Sequence, residues 1–400
     1  MKVVYVNLGI TSYAHPLLEK LTAKGCDLVM LLPNSEDGTI GESVKRAALD
    51  QHAYSIRYSS TQKMWYGKPA LTEMKSILLQ EKPDILMIGW PYFLQLFFDG
   101  RLRSVINKWN IKLIIQEIPF QTAPFLQFSY YRKNPVYDEN MVLKSNGWKF
   151  YVKTCALMFI RRFIYRRAAA TVNYASVAYD ILPSYGVKKE SIFVRYNATD
   201  TDALFAMKEK MASLPPMLPC KQRILHIGRL VKWKRVDLLI DAYGKIAAAY
   251  PESELTIIGN GPEKESLIQQ ANRLGLSNKV HFAEAVYNPL TLGRYMNEST
   301  IYVLAGMGGL SINDAMSFSL PVICSVCDGT EKDLITNGVN GYFFNNGDAE
   351  DLAVKIRLLL EDTEAAKKMG EAGCHIIKDK ININTVARRY MDAFKYVLKE

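Results

Sequence analysis

A glycine and two cations lie between a strand pattern and a helix pattern. Gly228 follows the apolar run at residues 223–227, and Arg229 and Lys234 precede the helical apolar spacing of residues 236–243. Glycine lets a ligand approach the backbone, the cations supply positive charge, and the first turn of a helix offers N–H groups. This order of elements predicts a site that grips a phosphate group.

Two further glycine turns follow strand patterns downstream. The strand pattern at residues 255–258 leads into Gly259 and Gly261, and a second turn at residues 306–310 opens a helical segment that contains Asp314. Ligands of doubly wound sheets bind beyond the carboxyl ends of the strands. We therefore expect these turns to lie at the ligand-binding edge of a parallel sheet.

In order and spacing, the motifs over residues 220–400 resemble the C-terminal domain of family 4 retaining glycosyltransferases. Over residues 1–205 the resemblance is limited to the opening strand-loop-helix and residues 197–200. It implies an α/β chain with the GT-B fold, in which two Rossmann-like, doubly wound domains face each other across a cleft. The motifs are Gly228–Lys234, Gly259–Pro262, Gly306–Met316, Leu320–Ile323, Asp328–Glu331 and Asn340–Phe343.

The resemblance also implies residue roles. Arg229 and Lys234 match the cation pair that stabilises the leaving diphosphate of a nucleotide-sugar donor, so we expect no metal and no other cofactor. A solvated basic turn is the alternative for these two cations. The residues expected to contact the donor are Gly9, Gly228, Gly259, Gly261, Gly306, Gly308, Gly309, Leu310 and Asp314.

The chain departs from the family at one of two acidic positions. The family has two glutamates eight positions apart, and this chain has Gly306 and Asp314 there. Asp314 keeps a carboxylate that can accept hydrogen bonds from ribose hydroxyls. Gly306 offers no carboxylate to the donor sugar, which leaves open a protein that binds the donor without transferring it.

Two N-terminal residues are further catalytic candidates. His15 opens the first helix after the glycine loop at Gly9, and Glu117 ends a strand pattern in the sequence of residues 114–119. Glu117 could orient or deprotonate an acceptor hydroxyl. The alternatives are a capping histidine and a buried structural glutamate, and same-face retaining transfer needs no strong protein base.

The positive charge is concentrated in one segment. The whole chain has a net charge of +10, and residues 101–170 alone hold thirteen Lys and Arg against three Asp and Glu. Such a segment suggests a polyanionic partner, which could be an anionic membrane face, a lipid pyrophosphate or a nucleic acid. A packed domain helix with charged ends is the alternative. The basic patch comprises Trp148, Lys149, Lys153, Arg161, Arg162, Arg166 and Arg167.

The sequence predicts a cytoplasmic protein that associates peripherally with the inner face of the membrane. No apolar run reaches the ~18–20 residues of a bilayer span, and the N-terminus reads as a strand and not as a signal peptide. The six cysteines are scattered, and we interpret the pair Cys324 and Cys327 as strand thiols. We interpret Asp200 and Asp202 as a helix cap and not as a metal motif.

Alternating strand and helix patterns predict the domain organisation. We expect an acceptor-side domain over residues 1–205, a proline-containing linker over 206–220 and a nucleotide-sugar-binding domain over 221–380. Residues 381–400 should form a helix that crosses back to the first domain.

The leading hypothesis is a retaining glycosyltransferase. It would move a sugar to a lipid-linked glycan in the synthesis of a bacterial surface polysaccharide such as lipopolysaccharide O-antigen, capsule or exopolysaccharide. The alternatives are a catalytically silent nucleotide-sugar binder, a nucleic-acid-binding protein and a dinucleotide oxidoreductase. The last two lack their motifs: no nucleic-acid reader is present, and the turn at Gly259 lacks the third glycine of the dinucleotide fingerprint.

Overall fold

The computed structural model forms two compact units. The first contains Met1–Val136, Lys144–Tyr196 and Ile383–Glu400, and the second contains Tyr137–Leu143 and Asn197–Asn382. Within these units, the residues that the structure describes are 1–34, 51–117, 122–138, 140–211, 213–214, 222–326 and 329–399.

The first unit is built on a parallel sheet. Its strands are β1 (Lys2–Val6), β2 (Asp27–Pro33), β3 (Ser55–Ser59), β4 (Thr61–Lys63), β5 (Pro69–Leu71), β6 (Ile85–Gly89), β7 (Lys112–Glu117), β8 (Ala170–Asn173) and β9 (Ile192–Val194). Seven of them form a sheet in the order β3-β2-β1-β6-β7-β8-β9, and β4 and β5 form an antiparallel hairpin. The strand order reverses between β1 and β6, which is where doubly wound sheets bind ligands.

Helices cover the sheet of the first unit. They are α1 (His15–Ala23), α2 (Met74–Glu81), α3 (Phe93–Phe98), α4 (Gly100–Lys108), α5 (Tyr130–Lys133), α6 (Trp148–Tyr165), α7 (Ala178–Ile181) and the terminal helix (Ile383–Leu398). The terminal helix packs on α1, β8 and β9 of this unit. Its buried stripe includes Val386, Tyr390 and Phe394, as expected for an amphipathic helix on a sheet.

The second unit has a six-stranded parallel sheet. Its strands are β10 (Gln222–Ile227), β11 (Ser253–Ile258), β12 (Val280–Ala283), β13 (Ile301–Leu304), β14 (Val322–Cys324) and β15 (Gly341–Phe343). Their order is β12-β11-β10-β13-β14-β15, so the switch point lies between β10 and β13. The central strands are buried on both faces, which is the rule for parallel sheets.

The first helix of the second unit precedes the first strand of its sheet along the chain. The helices of this unit are α8 (Thr201–Met211), α9 (Val236–Gly244), α10 (Lys264–Arg273), α11 (Pro289–Asn297), α12 (Ser311–Ser317), α13 (Glu331–Leu334), α14 (Ala349–Glu361) and α15 (Thr363–Asp379). The Asp200 carboxylate accepts from the Ala203 N–H at the start of α8, which confirms the helix-cap interpretation.

The unit boundary differs from the sequence prediction. The second unit begins at Asn197, whereas we expected the first domain to run to residue 205. Helix α8 joins the second unit because it packs on α11 and α12, and the Lys208 ammonium donates to the Ser317 carbonyl at 3.1 Å and to the Ser319 hydroxyl at 2.6 Å. Residues 212 and 215–220 of the predicted linker lie outside the described residues.

Within the described ranges, no helix has the length and apolar character needed to cross a membrane. Cys324 is buried at the end of β14, whereas Cys327 and Asp328 lie outside the described residues.

Candidate functional site

The loop after β10 carries the predicted phosphate-binding cations. Its backbone stays paired beyond the end of the sheet, since the Gly228 N–H donates to the Ile258 carbonyl at 3.0 Å and the Leu230 N–H donates to the Asn260 carbonyl at 2.9 Å. A single turn of 3-10 helix, Lys232–Lys234, follows and leads into α9. The backbone of the loop is therefore held by the neighbouring connection after β11.

Gly259 and Gly261 make this close pairing possible. Gly259 has a φ of +155°, and a Cβ atom there would lie 1.9 Å from the Gly228 carbonyl oxygen. A Cβ atom at Gly261 would lie 2.2 Å from the Leu230 carbonyl oxygen. Both glycines are thus required for packing, and their predicted contact with a donor stays a prediction.

Lys234 joins the loop after β10 to the loop after β13. Its ammonium donates to the Met307 and Gly308 carbonyls at 2.8 Å each, and the Met307 N–H donates to the Trp233 carbonyl at 2.8 Å. A Cβ atom on Gly309 would lie 3.3 Å from the Lys234 Nζ atom. The cation therefore lies in the second glycine turn, at the switch point of the sheet.

Gly306 faces the backbone of the same 3-10 turn. A Cβ atom at this position would lie 2.2 Å from the Trp233 carbonyl oxygen and 2.5 Å from the Lys234 carbonyl carbon. Neither atom can give way as a flexible side chain would. The close approach of the two loops therefore leaves no space for a side chain, and so for a carboxylate, at position 306.

Arg229 is half-buried beside the same turn. Its guanidinium lies over the indole ring of Trp233, 5.4 Å from the ring centroid. This contact keeps a planar cation near the end of β10 while its charge is retained. Arg229 and Lys234 therefore both belong to the loop after β10, and the Lys234 ammonium reaches the adjoining loop after β13.

Asp314 lies on α12, which follows Leu310 in the second glycine turn. Its Oδ1 atom accepts a hydrogen bond of 2.7 Å from the Thr199 hydroxyl. Burial raises the pKa of the Asp314 carboxyl to about 6, and the Thr199 hydrogen bond only partly opposes this shift. The carboxylate is thus held in place by a residue that precedes α8.

His226 was not predicted as a site residue, although it lies inside β10 next to the loop. Its Nδ1 hydrogen-bonds the Val303 carbonyl at 3.0 Å, and its buried Nε2 has no hydrogen-bond partner. Burial lowers the His226 pKa to about 4, with a further lowering from Lys234. The sequence indicates His226 only as a polar side chain inside the apolar run of residues 223–227. Thr199 is indicated only by its place in residues 197–200, which resemble a family motif.

The N-terminal candidates lie in the first unit. Gly9 is buried after β1, and His15 begins α1 with its Nδ1 hydrogen-bonded to the Tyr54 hydroxyl at 2.8 Å. The partner Tyr54 comes from outside the glycine-loop motif. The predicted catalytic role of His15 stays a prediction.

Glu117 is buried, with 4% of its surface exposed, at the end of β7. The Arg161 Nε atom lies 3.6 Å from its Oε1 atom, and the Tyr165 hydroxyl hydrogen-bonds the same carboxylate. Burial lowers the Arg161 pKa, but the Glu117 carboxylate and the hydroxyls of Tyr165, Tyr185 and Tyr131 together outweigh burial, so the Arg161 pKa is raised. The Ile118 and Pro119 that completed the predicted motif lie outside the described residues.

Arg161 therefore does not belong to an exposed basic patch. Its side chain is only 13% exposed because it turns inward to compensate the charge of Glu117. Arg162 is also half-buried, since it donates to the Ser184 carbonyl and lies 4.5 Å from the Phe125 ring centroid. These two arginines of the predicted patch are thus turned inward, and their predicted role at a membrane or an acceptor stays a prediction.

The remaining members of the basic patch are exposed. Trp148 is 72% exposed, Lys149 and Lys153 lie on the same side of α6, and Arg166 and Arg167 follow its last turn. The Arg167 guanidinium stacks 3.5 Å from the Phe163 ring centroid. We define the α6 surface as the exposed residues Trp148, Lys149, Val152, Lys153 and Phe159.

A known family model matches most of the second unit. Residues 219–375 match the family model described as "Glycosyl transferases group 1". An uncharacterised glycosyltransferase of Haemophilus influenzae is 28% identical over 167 residues, which are 41% of this chain and 45% of that protein. A capsular polysaccharide biosynthesis glycosyltransferase of Staphylococcus aureus is 26% identical over 181 residues, 44% of this chain and 46% of that protein. The matches thus span less than half the length of these relatives.

Comparison with solved structures covers the whole chain. The crystal structure of Anabaena HepE in complex with UDP has a TM-score of 0.68 and covers 99% of this chain and 100% of that one, at 17% identity. At this identity the similarity shows the fold alone, and the fold is GT-B. The predicted fold class is confirmed.

Proposed function

We propose that the protein is a retaining glycosyltransferase that moves a sugar from a nucleotide diphosphate donor to a glycan acceptor. The observation that carries the proposal is the position of Arg229 and Lys234 in the loop after β10, with the Lys234 ammonium bound to the adjoining glycine turn at the switch point of the second sheet. This region lies within the residues that match group 1 glycosyl transferases. The UDP bound to HepE makes uridine nucleotides the first donors to test.

The two cations have a defined task in this reaction. Breaking the anomeric C–O bond leaves negative charge on the diphosphate, and fixed cations stabilise that charge in the transition state. Lys234 is held by two carbonyl oxygens and Arg229 by the Trp233 ring, so little reorganisation is needed when charge develops. We propose that these residues act without a metal ion or other cofactor. In same-face transfer the leaving phosphate takes the acceptor proton.

Asp314 and the glycine turns complete the proposed donor site. The Asp314 carboxylate would accept hydrogen bonds from ribose hydroxyls while Thr199 holds its other side. The backbone at Gly228, Gly308 and Gly309 leaves room for the diphosphate near the two cations. Gly306 removes one carboxylate contact to the donor sugar, so the choice of sugar depends on other residues.

The acceptor is proposed to be a lipid-linked glycan of bacterial surface polysaccharide synthesis, such as lipopolysaccharide or capsule. The capsular polysaccharide relative from Staphylococcus aureus and the α6 surface support this part. Two lysines among exposed tryptophan, valine and phenylalanine side chains suit an anionic membrane interface. We therefore place the protein in the cytoplasm, at the inner face of the membrane.

The transfer assay separates this function from its alternative. The full chain is incubated with uridine diphosphate sugars and membrane-lipid acceptors, and NMR follows donor loss and the anomeric configuration of the product. Replacing Arg229 or Lys234 by Ala should slow transfer about 10²–10³-fold, whereas the exposed neighbour variant Lys232→Ala should retain its rate. A chelating agent should leave the rate unchanged.

Near-normal rates in both Arg229→Ala and Lys234→Ala would contradict the proposed function. Donor binding without transfer to any acceptor would instead favour the silent nucleotide-sugar binder, which the missing carboxylate at Gly306 motivates. A rate that the chelating agent abolishes would contradict the metal-free mechanism alone.

A further inference from the structure

The first unit contains a cavity at its own switch point. The cavity has a volume of about 570 Å³ and is lined where β1, β6, β7 and β8 end. Its wall includes the aromatic residues Trp90, Tyr131, Phe150 and Tyr174. This volume is within the range of small-molecule sites, which favour concave apolar walls with a few polar groups.

Glu117 and Arg161 are the polar centre of this cavity. Among the described residues that line it, one is anionic and one is cationic, so their formal charges cancel. The separation of 3.6 Å between Glu117 Oε1 and Arg161 Nε is too long for a hydrogen bond, and neither atom has another hydrogen-bond partner among the described residues. The pair therefore has unused donor and acceptor capacity beside the cavity.

The aromatic wall adds a flat apolar surface to this pair. The Arg161 guanidinium lies 5.8 Å from the centroid of the Trp90 ring, and Trp90 is 40% exposed. A pyranose ring has C–H groups that pack on an aromatic face and hydroxyls that both donate and accept hydrogen bonds. A phosphate or a carboxylate would instead meet the Glu117 charge without a second cation among the described lining residues.

We propose that this cavity binds a neutral pyranose through the Glu117–Arg161 pair and the Trp90 ring. In the context of the proposed function, on which this role rests, the bound sugar is the terminal residue of the acceptor glycan. Glu117 and Arg161 bind its hydroxyls, and their mutual neutrality selects against acidic and phosphorylated sugars. The pair is thus a determinant of acceptor specificity.

Saturation-transfer NMR on the full chain tests this selection directly. The observed probes are methyl glucopyranoside and methyl glucuronide, inorganic phosphate is added as a competitor because it has no observable proton, and UDP binding is measured on the same samples. We expect the neutral glycoside to bind in preference to both anions. Thr154 lines the cavity without taking part in the charge pair, so Thr154→Leu should fill space and weaken the neutral glycoside about 10-fold while UDP binding is unchanged.

Charge variants give a second and sharper readout. Glu117→Gln leaves the Arg161 charge uncompensated, so the preference should invert and the glucuronide should bind about 10-fold better than the neutral glycoside. The double variant Glu117→Gln/Arg161→Gln is neutral again and should restore the original preference. Thr154→Leu keeps the test decisive if the Glu117 variants do not fold.

Several results would overturn the proposal. They are a wild-type preference for phosphate or glucuronide, absence of glycoside binding while UDP still binds, and an unchanged preference in folded Glu117→Gln. In each of these cases the proposed donor chemistry stands. Glycoside binding with the predicted selectivity but without any nucleotide binding would instead support the sugar site and contradict the proposed function.

Discussion

At the scale of single residues, the proposed donor site combines charge with crowding. Lys234 is fixed by two carbonyl oxygens, Asp314 is buried beside Thr199, and Gly306 touches the backbone of Trp233. Substitution of the Asp314 carboxylate should change donor binding, and a side chain at Gly306 should change stability.

Asp314 makes donor binding dependent on pH. With a pKa of about 6, its carboxyl loses most of its negative charge as the pH falls from 8 to 5. If the ionised form binds the ribose, the dissociation constant should rise about 10-fold over this interval. Calorimetry with an intact nucleotide sugar measures this, because its diphosphate lacks the terminal phosphate group that itself titrates near pH 6.

The matched variant for this prediction is Asp314→Asn. Its affinity should be weaker at pH 8 and nearly independent of pH. Because the folded-state pKa is raised above the unfolded value, the ionised carboxylate costs stability as the pH rises through 6, and the variant should unfold at a higher temperature at pH 8. A pH profile identical to that of the wild type would exclude Asp314 from ribose binding.

Gly306 should tolerate no side chain. Gly306→Ala places a Cβ atom 2.2 Å from the Trp233 carbonyl oxygen, so the two loops must separate, at a cost of about 2–3 kcal/mol in the free energy of unfolding. Gly306→Glu, which restores the family's carboxylate, should be at least as unstable and should not gain activity. Denaturant titration measures the change.

The control for this prediction is Gly244→Ala at the end of α9. A Cβ atom there would meet only the Leu276 and Leu274 methyl groups, at 3.4 and 3.5 Å. Its free energy of unfolding should stay within about 0.5 kcal/mol of the wild type. Equal stability of Gly306→Ala and Gly244→Ala would refute the close approach of the two loops.

At the scale of elements, the sequence predicts the buried apolar strands but not the exposed edge strand β3 of the first sheet. Apolar runs at residues 2–7, 28–32, 85–88 and 112–115 predict strands. These agree with β1, β2, β6 and β7 within one or two residues, because parallel strands buried on both faces are continuous apolar runs. Edge strand β3 was missed, since its sequence of serine, isoleucine, arginine and tyrosine is largely exposed and carries no such run.

One predicted helix proved to be two. The sequence pattern of residues 95–108 predicts one helix, but α3 ends at Phe98 and α4 begins at Gly100. The Asp99 side chain accepts hydrogen bonds from the Arg101 and Leu102 N–H groups at 2.9 Å and caps the second helix. The Asp-Gly pair in the sequence was the signal for this break.

The β10 strand gives an element-scale prediction through His226. Its pKa of about 4 lies below the ordinary value of 6.5, so the unfolded chain binds the proton more tightly. The stability contributed by neutral His226 is present above pH 6.5 and is lost as the pH falls toward 4, by about 3 kcal/mol. Denaturant titrations at several pH values measure the slope.

His226→Asn keeps a donor for the Val303 carbonyl and should flatten this slope. The control His281→Asn removes a strand histidine that is 47% exposed and should leave the slope unchanged. Equal slopes in wild type and His226→Asn would show that protonation of His226 does not destabilise the fold.

At the scale of the whole molecule, the sequence predicted two Rossmann-like units and the motifs at their strand ends. It could not predict which cations are buried, because Glu117 and Arg161 are 44 positions apart in the sequence and meet only in the folded unit. It also ended the first domain at residue 205, inside α8, since the contacts of Lys208 with Ser317 and Ser319 are equally remote in sequence. Contacts between residues far apart in the sequence, such as these, cannot be predicted from local sequence patterns.

The α6 surface predicts binding to anionic vesicles. Each exposed lysine near a charged bilayer contributes about 1 kcal/mol, so Lys149→Gln/Lys153→Gln should weaken binding to phosphatidylglycerol vesicles about 30-fold at low ionic strength. Sedimentation measures the bound fraction. The exposed pair on α15 supplies the control Lys367→Gln/Lys368→Gln, which should bind normally. Equal binding of both double variants would refute a membrane role for α6.

In the proposed function, Arg229 and Lys234 bind the nucleoside diphosphate. The most direct measurement is the thermal shift of the wild type, Arg229→Ala, Lys234→Ala and Lys232→Ala with UDP, GDP, dTDP and CMP, without added metal. We predict that one nucleoside diphosphate raises the Tm of the wild type and of Lys232→Ala, and that the shift is lost in the other two variants. No shift with any nucleotide, or equal shifts in all four proteins, would contradict the account.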